Sequence, residues 1–358
     1  MNGTELDMVA AIRRCGSALL ALLLGTSFLI ADVAKADDTP AKALFGAKTL
    51  PAQMAPSSYG FYAKGCLAGG VAIPTDGPTW QAMRLSRNRR WGHPQMIALI
   101  EQFSHDAAQK IGWPGLLLGD ISQPRGGPMV SGHASHQIGL DADIWLTPMP
   151  QRTLTGPERE DIAATSMLQK NKFLTVDPSI WTPTHARLIM LAASYPQVER
   201  VFVNPAIKKK LCDTWNGDRS ALGKVRPIYG HDYHFHIRIK CPAGSTTCKD
   251  QAAVPAGDGC DKSLAWWFTD APWAKPKKKP GETPVKPRLT TMADLPKACT
   301  LVLNGPAPAS EQEATYGLAY RAASPAPAEQ GIEQVIGNAA TDLPPADVPL
   351  PLPRPTLQ

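Results

Sequence analysis

Five of the eight histidines in this 358-residue chain fall in two short stretches. The first reads Ser131-Gly-His133-Ala-Ser-His136-Gln-Ile-Gly-Leu-Asp141-Ala-Asp143-Ile-Trp145, and the second His231-Asp-Tyr-His234-Phe-His236-Ile-Arg-Ile. Imidazole and carboxylate are the donors of hydrolytic zinc sites, in which three protein ligands leave a fourth position for water. Zinc lowers the pKa of such a water towards about 7, and an unligated histidine nearby can pass a proton to a departing amine.

Those donors need strands to converge. Leu140 to Trp145 reads as one strand, whose period of two sends Asp141 and Asp143 to one face and Ala142 and Ile144 to the other. His136 lies just upstream, where a bend at Gly139 can swing its ring beside Asp143. His234 and His236 share a face of a second strand, with Phe235 and Ile237 turned to the core. Two such strands side by side present two imidazoles and a carboxylate around one point, with Asp141 in support. His93, His105 and His185 stand alone and read as structural or surface residues.

Other hydrolytic signatures are missing. There is no H-E-x-x-H helix, no G-x-S-x-G elbow and no S-x-x-K motif. A serine acyl-enzyme route has no visible nucleophile, so β-lactams are not expected to acylate the protein.

The ends of the chain differ from the middle. Arg13 and Arg14 precede an apolar run from Ala18 to Ile30, and Ala34-Lys35-Ala36 follows, the layout of a secretory signal peptide over 1–36. The rival reading is an uncleaved anchor, but the run is short for a bilayer span, and no stable membrane insertion is expected after cleavage. Export implies an oxidising compartment. Cys66, Cys212, Cys241, Cys248, Cys260 and Cys299 remain after Cys15 leaves, an even set that suggests disulfides. Their number leaves the pairing open apart from the close pair Cys241 and Cys248. No C-x-x-C supports a thiolate metal site. The formal charge of +6, gathered partly in Arg84 to Arg90 and Lys275 to Lys279, suits a polyanionic partner such as cell wall. No nucleic-acid-binding motif is present.

Between the ends, Pro94 to Ile111 carries apolar residues at helical spacing with Pro94 in the first turn. Gly115 to Ile121 reads as a buried strand and is followed by a Pro/Gly turn from Pro124 to Pro128. Thr182 caps a helix that opens at Pro183 and runs through Ala193; Glu199 to Val203 is a strand, and Pro205 to Leu211 a short helix. The segment 37–58 is Ala/Pro-rich and expected to be loose, 59–273 is the globular domain, 274–305 a Lys/Pro linker that Cys299 staples back, and 306–358 a disordered Pro/Ala-rich tail.

SGHASHQIGLDADIWL, RVFVNPAIKKKLC and HDYHFHIRIKCP together resemble the penicillin-insensitive murein endopeptidases of Gram-negative bacteria, over Tyr59 to Trp273 plus Cys299. These belong with the lysostaphin-type and D-Ala-D-Ala-type metallopeptidases. The resemblance implies an α+β fold: a small antiparallel β-sheet carrying the zinc site, flanked by helices and disulfide-stapled loops. It implies Zn2+ as cofactor, with His136, Asp143 and His236 as ligands, His234 as general base, and His133 and His231 as further histidines of the site, one of them able to touch metal. It implies the pairs Cys66–Cys299, Cys212–Cys260 and Cys241–Cys248. It implies a periplasmic enzyme whose partner is peptidoglycan and which cuts the D-alanyl to meso-diaminopimelyl cross-link. A carboxypeptidase trimming terminal D-Ala and a non-catalytic peptidoglycan-binding regulator are the alternatives. Leu146 to Trp181 shows no counterpart to the accessory metal site known in the family. Arg84 to Arg90, Arg125 and Trp145 are the candidates for contact with anionic stem peptides.

Overall fold

The computed structural model describes residues 39–275 and 288–317. The leader and most of the Pro-rich tail lie outside the described residues. The long helix expected from the apolar spacing is present as Pro94–Ile111 (α2), after a short helix Ala41–Gly46 (α1). His93 caps α2 by accepting from the Gln95 N–H, and Gly112 closes it with φ 68°.

The eleven strands of the described residues are, in chain order, Ser57–Phe61 (β1), Lys64–Ala68 (β2), Val71–Ala72 (β3), Asp76–Gly77 (β4), Trp80–Ala82 (β5), Trp91–Gly92 (β6), Leu116–Leu118 (β7), Asp141–Trp145 (β8), Val198–Val203 (β9), Val225–Pro227 (β10) and His234–Ile239 (β11). Five further helices are Gly156–Asp161 (α3), Pro183–Ser194 (α4), Pro205–Thr214 (α5), Lys262–Ala265 (α6) and Ala298–Asn304 (α7).

The α+β class holds, with a larger and more mixed sheet than expected. Seven strands run in the order β10-β9-β11-β8-β7-β5-β4. Its centre, β9-β11-β8-β7, is antiparallel, whereas β10 pairs with β9 and β5 with β7 in parallel. Parallel neighbours need a crossover, and the helices supply it: α2 lies between β5 and β7 in the chain, and α5 between β9 and β10.

One face of the sheet is the main core. Ala142, Ile144, Phe235, Ile237 and Val201 are fully buried there together with Phe103 of α2 and Leu188 and Ile189 of α4. Phe103 meets Phe235 edge to face, with centroids 6.2 Å apart. Burying one such ring contributes roughly 2–3 kcal/mol, so β11 is fixed by its apolar side and the histidines of its other side are fixed with it.

The segment expected to be loose is not. Ala41, Phe45 and Ala52 pack with Cys66, Leu295, Cys299 and Val302 in a second apolar cluster. The Cys66–Cys299 disulfide runs through it, which brings α7 onto β2. The Cys212–Cys260 and Cys241–Cys248 bonds are also present. The ordered chain continues past 306, where Tyr316 is buried and donates its backbone N–H to the Ala72 carbonyl. Few apolar residues in Pro-rich text suffice for order when a disulfide and a preformed surface meet them.

Candidate metal centre and cleft

The site is built across one strand pair. In the β8–β11 ladder His236 lies opposite Asp143, Arg238 opposite Asp141 and His234 opposite Trp145. Alternation then puts Asp141, Asp143, His234, His236 and Arg238 on the face away from the core.

His136 arrives from the loop before β8 with φ 66°, in the left-handed region. Its N–H donates to Asp141 Oδ2 at 2.9 Å and its ring Nδ1 faces the Ile121 carbonyl at 2.6 Å. Gly139, at φ 70°, makes the bend possible, since a Cβ there would lie 2.8 Å from the His93 nitrogen.

Four imidazoles surround the Asp143 carboxylate. His136 Nε2 and His236 Nδ1 are each 3.4 Å from Oδ1, His234 Nε2 is 3.6 Å from Oδ1, and His133 Nε2 is 3.4 Å from Oδ2. These separations are long for hydrogen bonds. They match the edge of a zinc tetrahedron, for which bonds of about 2.0–2.2 Å put ligand atoms about 3.3–3.5 Å apart. His136 Nε2, Asp143 Oδ1 and both His234 ring nitrogens are buried without a hydrogen-bond partner among the described residues. Buried polar atoms are rarely left so, and a shared cation satisfies several at once.

Charge points the same way. Asp141 is paired with Arg238, whose Nε is 2.7 Å away and whose guanidinium lies over the Tyr62 and Phe202 rings. Asp120 is paired with Arg89 at 2.9 Å and Arg87 at 3.2 Å. Asp143 forms no arginine or lysine pair among the described residues and has only imidazoles around it. Burial opposes its ionisation, yet those rings hold its carboxyl well below the usual range. Burial likewise opposes charge on His136, and the Asp143 and Asp141 carboxylates override it, raising His136 to about 9. For His236 burial wins and lowers it to about 3, and for His234 it lowers it to about 4. His133, His136 and Asp143 can bring three donor atoms within 4.8 Å of one another, a set that could hold a metal ion.

The second stretch is placed alongside. His231, at φ 55°, turns its ring to 4.7 Å from that of His234 and 5.9 Å from that of His236, and its Nδ1 faces the Tyr229 carbonyl at 2.8 Å. His93, His105 and His185 lie elsewhere: His93 caps α2, His105 is exposed, and His185 closes the capping box of α4.

The chain belongs to the penicillin-insensitive murein endopeptidase family. The model of that family matches residues 58–304, more than half of the sequence. A penicillin-insensitive murein endopeptidase of Haemophilus influenzae is 44% identical over 250 residues, covering 70% of this chain and 83% of its own. Proteins of the same name from Klebsiella pneumoniae and Yersinia enterocolitica are 40% and 41% identical, over 80% and 72% of this chain and 96% and 88% of theirs.

A cleft opens beside the cluster of this family member, lined by Arg87, Asp120, His133, Trp145, Tyr233 and His234 among others. Asp120 escaped the sequence reading. Burial opposes its charge, but the His133 contact at 3.1 Å and the two arginines bring it down to about 2. Its signal was slight: an acid closing the Leu116-Leu-Leu-Gly119 strand, whose pairing with β8 nothing in the sequence announces.

The arginines divide. Arg87 reaches the cleft with its side chain 43% exposed. Arg84 also lines the cleft, over the Trp145 ring, but it and Arg125, both candidates for substrate contact, are buried and bind backbone carbonyls. Arg84 binds those of Arg159 and Ile162. Arg125 binds those of Val302, Leu303 and Gly305 at the end of α7 and that of Leu50. Arg125 therefore ties both flanking segments to the domain rather than meeting substrate. No helix among the described residues is long and apolar enough to cross a membrane.

Proposed function

We propose that the protein is a zinc-dependent endopeptidase of the periplasm that hydrolyses D-alanyl to meso-diaminopimelyl cross-links of peptidoglycan. The observation that carries the reading is the ring of partnerless buried donors at tetrahedral spacing around Asp143. The relatives' name, murein endopeptidase, supports the substrate.

His136, Asp143 and His236 are the residues that would hold the metal. The second nitrogen of each ring supports this set. His236 Nε2 bonds Asp141 at 2.8 Å, and His136 Nδ1 bonds the Ile121 carbonyl, so each ring carries its proton there and directs a lone pair at the centre. His133 is close enough to belong, but its inward Nε2 is shared with Asp120, and we assign it to holding that carboxylate. Zinc bound there supplies Lewis acidity that polarises the scissile carbonyl and lowers the pKa of water to about 7.

His234 acts as general base. Burial keeps its imidazole neutral, and its position opposite Trp145 puts it on the cleft wall, where it can accept a proton and hand it to the leaving amine. His231, beside it, orients it and stabilises charge developing on the carbonyl oxygen. Arg87 attracts the anionic stem peptide.

Digestion of purified cross-linked sacculi, with products separated by chromatography, tests the reading. Monomers released from dimers, lost with a chelator and restored by zinc, are expected; free D-alanine as the sole product would mean a carboxypeptidase, and no product a binding module. His234→Ala is expected to abolish turnover with metal content unchanged.

A further inference from the structure

Next to the metal cluster lies an aromatic surface that the hydrolytic reading does not use. Tyr229, Trp267 and Trp273 pack edge to face, with Tyr229 4.7 Å from Trp267 and 5.2 Å from Trp273. Trp266 extends the group at 5.2 Å from Trp267, and Phe173 at 5.4 Å from Trp273. Large aromatic side chains in contact normally form a core, yet Phe173 is 64% exposed, Tyr229 48% and Trp266 46%. The Tyr229 hydroxyl donates to the Pro272 carbonyl, which holds the surface in shape.

The surface is continuous with the catalytic cluster. The Tyr229 carbonyl faces the His231 ring Nδ1, and the His231 ring lies tilted 4.7 Å from that of His234. We infer that this surface is a platform for the sugar rings of the murein glycan strand, seating the strand beside the cleft that receives its cross-linked stem. The inference rests on murein being the substrate.

Chemistry favours sugar over peptide. Stem peptides offer small or charged side chains, which gain little from flat apolar rings. The C–H faces of pyranoses stack on indole and phenol, and their hydroxyls reach water around the rim.

The test uses the full chain, with peptide-free glycan strands as the binding probe and tryptophan fluorescence as the readout, in the presence of a chelator. Binding so measured does not depend on zinc chemistry, so failure of the hydrolytic reading stays separate from failure of this one. Trp266→Ala is expected to bind strands about tenfold more weakly. It should raise KM for sugar-bearing cross-linked dimers about tenfold while cleaving sugar-free peptide dimers at the parent rate. Trp266→Phe should retain most of both properties. The proposal is overturned if the parent does not bind strands, if Trp266→Ala loses activity equally on sugar-free dimers, or if the fluorescence responds only to phospholipid vesicles or to a peptide of the chain's own Pro-rich end.

Discussion

His236 stands opposite Asp143 across the β8–β11 ladder, with Nδ1 3.4 Å from the Asp143 carboxylate and Nε2 hydrogen-bonded to Asp141 at 2.8 Å. One imidazole is thus clamped between two carboxylates two residues apart on one strand face. The outer carboxylate is neutralised by Arg238 and fixes the ring, leaving the inner one for a cation.

The proposed ligand set separates ligands from neighbours by experiment. His136→Ala and His236→Ala should each cost stoichiometric zinc, whereas His133→Ala should keep it. Equilibrium dialysis followed by elemental analysis checks the three, and zinc retained by His236→Ala would remove that residue from the ligand set.

Asp141 is fully buried against Arg238. Asp141→Asn leaves that guanidinium without its counter-charge, which should lower stability by about 3–5 kcal/mol. Urea unfolding measures the loss. Adding Arg238→Met should recover part of it, because an apolar chain needs no partner; equal instability of the single and double variants would refute the pairing argument.

His185 gives the metal-free fold a pH dependence. Its Nδ1 accepts from the Thr182 N–H and its Nε2 faces the Leu146 carbonyl, so the fold holds it neutral, and burial lowers its pKa from 6.5 to about 4. Below about 6.5 the unfolded chain takes up a proton that the folded chain refuses. Stability is therefore full above that pH and falls as pH drops towards 4, by at most about 3 kcal/mol from this residue. Denaturant titrations of chelated protein at pH 7 and pH 4.5 should show the fall, and His185→Gln should reduce it by this residue's share, since the buried His234 and His236 contribute in the same direction.

The Cys66–Cys299 bond spans 233 residues and anchors the second apolar cluster. Replacing both cysteines by serine should destabilise the protein by about 2–5 kcal/mol. Protease should then cut first near 288–305, since α7 loses its covalent tie to β2. Digestion followed by mass spectrometry locates the cut; an unchanged pattern would mean that Arg125 and the apolar contacts hold the helix unaided.

The candidate site was legible because its residues alternate within strands. Period two told which of Asp141, Ala142, Asp143 and Ile144 share a face, and Gly139 marked the bend before them. The helix over Pro94–Ile111 and the Thr182 cap were equally local, depending on spacing and on the residue before a proline. Spacing marked only the Cys241–Cys248 pair, and the other two disulfides came through family resemblance, since cysteine count left them open.

Sequence by itself therefore determined which side chains of β8 and β11 share a face, and the main helices, all set by residues within a few positions of one another. Tertiary structure alone decided which strand lies beside which, and so brought Asp120 to His133, committed Arg84 and Arg125 to backbone carbonyls, and ordered 39–56 against α7. Those outcomes depend on contacts between residues far apart in the chain, such as Ala41 with Thr290, Gln53 with Pro306 and Cys66 with Cys299. Side-chain alternation is written in neighbours along the chain; what a buried charge pairs with is settled only when distant segments pack.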